Sequence, residues 1–476
     1  MSDVTEIKSA VFKGGVFLGL RQVVSAVLSV LSVLTMARVL GPESYGIVAS
    51  ALGILYFLAW TSQLGLNAYL VRAPEVAKEL PEQLLAFSNA LAIAACAIVW
   101  IGAPLLSEWT EIPEITDILR LMVPCILLHV IKEVSMAMLT RELRFHEVSI
   151  VDMASQFANY AIAIPLTLAF KSYWGPLSGA LVQFLSAAIL AYHFHPIRFT
   201  SRWKWSALRP VVGYGVTYFF ASWVQVLRAL TIPLFVAPLA GIEAAGIAGI
   251  TLRMLEQLSM IRAVIKSMSM SVMSKLTDSA AVRRAVDQGM IYIALLMAVT
   301  CATFACVSPW IIPLFFGERW VESAHLFPAL ALVAIVSAMF DLHLSVLHAV
   351  GKNLIVALQS LVGVISVWGS CALAIPSLGL WGYAIAELLA LPSFLIVHEA
   401  FRRLYGSPSY CIPAVVIFAL TPPLLLSQSH SPLIAIPTLV VSLCLIVTFS
   451  RPIRITIKEV VTALLARRQR REAVVA

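Results

Sequence analysis

Stretches of roughly 20 apolar residues, long enough to cross the hydrocarbon core of a bilayer as helices, recur from one end of this 476-residue chain to the other. A single run of that kind has two readings, because a buried helix of a large soluble protein looks the same. A succession of them has one. The chain is 60% hydrophobic and 12% charged, against roughly 25% charged in soluble domains, so it lacks the polar residues to cover a water-facing surface. In lipid every backbone N–H and C=O has to be satisfied within the protein, which makes helices of these runs.

The runs fall near 14–38, 45–71, 84–106, 118–139, 150–170, 175–194, 211–236, 241–268, 286–312, 323–349, 353–375, 380–401, 410–427 and 432–450. The expected fold is therefore an all-α polytopic membrane protein of about 14 spans, with turns at pairs such as Gly41-Pro42 and Pro376-Ser377. The loop charges test this count. Alternate loops hold Arg72 and Lys78; Arg141 and Arg144; Arg198, Arg202, Lys204 and Arg209; Lys275, Arg283 and Arg284; Lys352; and Arg402 and Arg403. The loops between them hold Lys171 and Arg319, and 107–117 carries four acids and no base. Basic loops stay in the cytoplasm, so both termini are expected there, which needs an even number of spans.

The net charge of +8 is thus spent on orientation and does not point to nucleic acid. Segment 195–210 mixes bases with Trp203 and Trp205, residues suited to the headgroup layer. The tail 451–471 reads either as a basic interfacial helix or as a solvated end that fixes topology. The seven cysteines lie within or beside apolar runs and form no CxxC, so neither a disulfide framework nor a zinc site is expected. The acidic start MSDVTEIKSA has no small-residue cleavage site and predicts no removable signal peptide.

The chain resembles itself at an offset of 200 residues. LGPESYGIVAS at 40–50 lies over AGIEAAGIAGI at 240–250, aligning Gly41 with Gly241, Glu43 with Glu243, Gly46 with Gly246 and Ile47 with Ile247. Upstream, Gly15 aligns with Gly215, Val24 with Val224 and Leu34 with Leu234. The first span matches the seventh and the second the eighth, so an even number of helices separates the halves and they share one orientation. The expected organisation is a six-helix lobe at 1–194, a connector at 195–210 and a second lobe at 211–401. Two extra helices follow at 402–450, then a basic tail at 451–476. Repeated lobes around a substrate site are a transporter architecture.

Ionisable side chains within spans usually face a cavity. Lys13, Arg38, Arg120 and Lys266 fall near span ends and can snorkel. Arg21, Lys132, Arg228 and Arg253 are interior and become candidate anion ligands, since guanidinium binds phosphate bidentately. Glu133, Glu256, Asp341 and Glu387 are their possible neutralisers. Glu256 lies one helical turn from Arg253, so an intrahelical pair is the alternative to a ligand role there. Arg262 falls on the opposite face from Arg253 and is expected at the cytoplasmic surface. Asp341, His343 and His348 read either as a proton or cation coupling site or as packing polarity near a helix end. No P-loop, GxGxxG, HExxH or N-glycosylation sequon is present, and the loops are too short for a catalytic domain. No cofactor, no metal and no enzymatic activity are expected.

Leu40-Gly41-Pro42-Glu43-Ser44-Tyr45-Gly46, with Gly65-Leu66 and Leu70-Val71-Arg72, resembles the opening of bacterial polysaccharide exporters of the O-antigen flippase type. These belong to the multidrug/oligosaccharidyl-lipid/polysaccharide (MOP) superfamily. Arg141-Glu142-Leu143-Arg144-Phe145 is similar to the colanic acid and exopolysaccharide branch. The resemblance implies alternating-access export of an undecaprenyl-diphosphate-linked oligosaccharide across the bacterial inner membrane. Its implied partners are that lipid-linked sugar, the bilayer, and polysaccharide polymerase and co-polymerase proteins. In related peptidoglycan-precursor flippases, arginines on the first and eighth helices engage the diphosphate, and Arg21 and Arg253 occupy similar helices here. Arg21, Arg253, Lys132 and Arg228 are the candidate diphosphate ligands; Gln63, Asn67 and Gln225 the candidate sugar-facing groups; Glu256, Asp341 and Glu387 the candidate coupling carboxylates. Two rival functions are a cation-coupled small-molecule efflux protein of the same fold and a membrane glycosyltransferase or polymerase. The first needs an acidic cavity and the second a long extracytoplasmic loop.

Overall fold

A computed structural model describes residues 2–449, apart from 64, 74, 260–261, 263–277 and 428–431. The side chains of 1–27 and of short stretches near 216–225 also lie outside the described residues, as does the tail at 451–476. Among the described residues there are helices and no strand. The helices are α1 (Ser2–Thr61), α2 (Leu66–Arg72), α3 (Leu80–Thr110), α4 (Ile115–Met122), α5 (Pro124–Arg141), α6 (Phe145–Phe170) and α7 (Trp174–Phe194). There follow α8 (Trp205–Leu227), α9 (Ala237–Ala240), α10 (Ile242–Leu258), α11 (Ser279–Phe315), α12 (Val321–Ala349) and α13 (Asn353–Leu378). The last are α14 (Leu380–Leu389), α15 (Phe394–Tyr405), α16 (Cys411–Leu426) and α17 (Pro432–Phe449).

Nine described segments are long and apolar enough to cross a membrane, and Arg228–Ala240, Cys411–Leu426 and Ile434–Ile446 are shorter apolar helices. Many of their large apolar side chains are exposed, Ile98, Ile101 and Leu105 on α3 and Phe157 and Leu168 on α6 among them. Such a surface needs lipid around it. The protein is a multi-pass, all-helical membrane protein.

Two spans are less regular than the apolar runs suggest. The second does not continue to residue 71: α1 ends at Thr61, and α2 begins only after a turn ending at Gly65, whose φ is +66°. The seventh is interrupted at mid-length. α8 gives way to a 3₁₀ turn at Arg228–Leu230 and a π turn at Ile232–Val236 before α9 closes it. Hydropathy registers apolar content and is blind to which carbonyl each N–H reaches, so it sees none of these breaks.

The 200-residue repeat is present in the backbone. α1 is broken at Gly41 (φ 74°, ψ 174°), and α9 ends at Gly241 (φ 93°, ψ 162°), the same left-handed, extended conformation that disfavours every residue with a Cβ. Past these breaks the two helices cross at Gly46 and Gly246. A Cβ on Gly46 would collide with the carbonyl oxygen of Ile242, and a Cβ on Gly246 with that of Pro42. The contact is reciprocal, since 42 and 242 are themselves equivalent positions.

The chain divides into two compact units. The first comprises Met1–Ile250, Phe315–Trp320 and Ser360–Ala390; the second Thr251–Leu314, Val321–Gln359 and Leu391–Ala476. In the first, Met136, Leu139, Val151, Ala187 and Ala191 form a buried cluster of α5, α6 and α7, and Trp320 is tied to α1 by its Nε1–H to the Ala37 carbonyl at 3.0 Å. In the second, Leu347, Val356 and Val397 pack α12, α13 and α15 together.

Candidate substrate-binding site

In the first unit, the break after Thr61 carries polar side chains to α5. Gln63 is hydrogen-bonded to His129, and Asn67 Nδ2 donates to Gln63 Oε1 at 3.3 Å. One turn along α5, Lys132 Nζ lies 2.8 Å from Glu133 Oε1, with both side chains about a quarter exposed. The polar face continues across α6 and α7, where Gln156 Nε2 donates to the Tyr160 hydroxyl at 3.2 Å and Asn159 Nδ2 to Gln183 Oε1 at 2.7 Å. On α6, residues 152, 156 and 159 repeat at helical spacing on the side away from the exposed Phe157. Nothing in the sequence alone singles out Gln156, Asn159 or Gln183, because lone amides in apolar runs carry no spacing signal.

The interrupted seventh span places a second group. Arg228, at the start of the 3₁₀ turn, forms an ion pair with Glu387 of α14, whose side chain is 4% exposed while that of Arg228 is 47% exposed. Trp368 Nε1 donates to Thr231 Oγ1 at 3.2 Å and its indole stacks on Phe235, which braces the irregular turns. A π turn within a helix wall re-aims side chains and recurs at functional sites. Ionisable side chains within spans usually face the protein interior or a cavity. Arg228 is therefore fixed along one edge and accessible along another.

In the second unit, Arg253 Nη1 pairs with Glu256 Oε2 at 3.0 Å, the intrahelical contact that their spacing allows, and both side chains are at least half exposed. Arg262 makes a two-pronged contact with Asp341, its Nη2 at 2.7 Å from Oδ1. The Asp341 side chain is 5% exposed, and the second guanidinium prong explains how such a buried carboxylate is tolerated. His343 belongs to a different network. Its Nε2 is 3.0 Å from the Tyr410 hydroxyl, which is 2.8 Å from His398 Nδ1, so that hydroxyl bridges the two imidazoles. His348 Nδ1 pairs with Asn353 instead, at 2.8 Å. Arg21 lies on α1 and Gln225 on α8, with their side chains outside the described residues.

The family model described as polysaccharide biosynthesis protein matches residues 35–325, more than half of the chain. The chain belongs to that family. Its match includes the Gly41 and Gly241 breaks and the Arg228 turn. The succinoglycan biosynthesis transport protein ExoT of Rhizobium meliloti (strain 1021) is 29% identical over 150 residues, which is 32% of this chain and 30% of that protein. The matched region thus spans about three-tenths of that relative's length. Among solved structures, the lipid II flippase MurJ in an inward closed conformation superposes with a TM-score of 0.72 at 12% identity, over 92% of this chain and 99% of that one. An inward-facing multidrug resistance MATE family transporter of the MOP superfamily gives 0.60 at 15% identity, over 83% and 96%. These likenesses establish the fold of this polysaccharide biosynthesis family member as that of the MOP superfamily.

Proposed function

We propose that this chain carries a polyprenyl-diphosphate-linked oligosaccharide, the repeat unit of an exopolysaccharide, O-antigen or capsule, across the bacterial inner membrane by alternating access. The observation that carries the reading is Arg228: an intramembrane guanidinium held by a buried carboxylate and accessible on its other edge, in a polysaccharide biosynthesis family member with a transporter fold. Arg21, Arg253, Lys132 and Arg228 serve as diphosphate ligands. Gln63 and Asn67, with Gln225, face the sugar, whose hydroxyls suit the amide donors and acceptors joined to His129.

The three candidate coupling carboxylates share one property. Glu387 holds Arg228, Glu256 holds Arg253 and Asp341 holds Arg262. A diphosphate arriving at such an arginine competes with its carboxylate, and a proton or cation on the carboxylate releases the arginine. Substrate binding and ion binding are thereby linked at the same residues. The six-helix lobes at 1–194 and 211–401 rock around the substrate, with both termini in the cytoplasm, and polymerase and co-polymerase proteins receive the product.

Deleting the gene should leave lipid-linked repeat units in the inner leaflet and remove surface polysaccharide. Arg21→Ala and Arg253→Ala should fail to restore it at undiminished protein level. Normal polysaccharide in both variants would remove those arginines as ligands. Altered drug accumulation with unchanged polysaccharide would replace the reading with small-molecule efflux.

A further inference from the structure

We infer that a cavity between the start of α3 and the connector binds the headgroup of a phospholipid carrying both a phosphate and a primary amine. The cavity, about 570 Å³, is lined on one side by Glu79, Glu82 and Gln83 and on the other by Arg202, Trp203 and Lys204. Its walls are tied together. The backbone N–H of Lys204 donates to Gln83 Oε1 at 2.9 Å, and that of Arg202 to Thr200 Oγ1 at 3.2 Å. Ile197 is buried, and Phe87 of α3 meets both Trp203 and Trp205 edge-on, with ring centroids 5.9 and 6.2 Å apart. The non-helical connector is thus held to α3 at Trp203 and Lys204.

Position and charge together name the occupant. The cavity lies where α3 and α8 begin, beside the exposed rings of Phe199, Trp203 and Trp205; tryptophans at span ends mark the headgroup layer. Glu79, Glu82, Arg202 and Lys204 make no ion pair with one another, and no ion pair of theirs with another described residue is present. A purely anionic ligand would meet two carboxylates and a purely cationic one two bases. A headgroup with phosphate at one end and ammonium at the other satisfies both walls. The amine is a primary one because a carboxylate accepts hydrogen bonds from N–H, and a trimethylammonium has none to give. The Trp203 indole can cover the cation.

The test uses the full chain purified in detergent and titrated with phosphatidylethanolamine, phosphatidylcholine or phosphatidylglycerol, with bound lipid counted by native mass spectrometry. Phosphatidylethanolamine should be retained about tenfold better than either of the others, the ratio that one hydrogen bond to a charged group supplies. The double variant E79Q/E82Q should lose the preference over phosphatidylglycerol, and R202Q/K204Q should weaken all three lipids. All four side chains are surface residues, and a monodisperse elution profile confirms the fold of each variant. Equal retention of the three lipids by the unmodified protein, or a preference that survives both double variants, would overturn the assignment. Soluble phosphoethanolamine is the second arm: binding as tight as that of the lipid would give the site to a free phosphoamine and overturn the membrane source.

Discussion

Arg228 and Glu387 form a pair whose two ends differ in their access to water, and that difference fixes the order of their variants. Breaking a fully buried ion pair costs about 3–5 kcal/mol, mostly because the surviving charge is left without compensation. Glu387 is 4% exposed and has no route to water, whereas Arg228 is 47% exposed and can rehydrate when its partner goes. Discounting for the exposed half of the guanidinium, Arg228→Met should cost about 2–3 kcal/mol and Glu387→Gln about 1 kcal/mol. The double variant removes both charges and should be no worse than Arg228→Met alone, a coupling of about 1 kcal/mol or more. The assay is thermal unfolding of the four proteins in one detergent with one added lipid, alongside restoration of surface polysaccharide in a deletion strain. The double variant should be no less stable than Arg228→Met and should still fail to restore surface polysaccharide, because the arginine is still missing. Equal single losses that simply add in the double variant would refute the reasoning, since they would mean that neither charge senses the other.

Two further outcomes follow from the packing. Gly46→Ala and Gly246→Ala each push a methyl group into a backbone carbonyl, and overpacking of this kind costs about 1–3 kcal/mol or more. Each should lower the yield and Tm of folded protein, and wild-type values in either would show that the two helices do not cross there. Tyr410→Phe removes the hydroxyl between His343 and His398, leaving the Nε2 of buried His343 without a partner at a cost of about 1–3 kcal/mol. An unchanged Tm in that variant would mean that the network is not made.

The apolar runs and the repeat were legible because each is a pattern along the chain. The glycines of the repeat proved the most informative: Gly41 and Gly241 share a backbone conformation, and Gly46 and Gly246 a contact. Arg253 with Glu256 was legible for the same reason, their spacing being one helical turn. Arg228 with Glu387 and Arg262 with Asp341 were not, since 159 and 79 residues separate the partners and their meeting depends on helix packing. The interrupted seventh span was hidden because 3₁₀ and π turns can be built from the same apolar residues as an α-helix. The clamped connector depends on Gln83 and Phe87, and neither residue stands out in an amphipathic helix start.

The crossing of Gly46 and Gly246 has the form of an isologous interface, in which position i of one partner touches position j of the other and j touches i. Between two separate chains that form belongs to a two-fold dimer. Here both partners lie on one chain at equivalent places 200 residues apart, so the two repeats meet at this point as the subunits of a two-fold dimer would. Neither repeat can acquire a side chain there without the other moving aside.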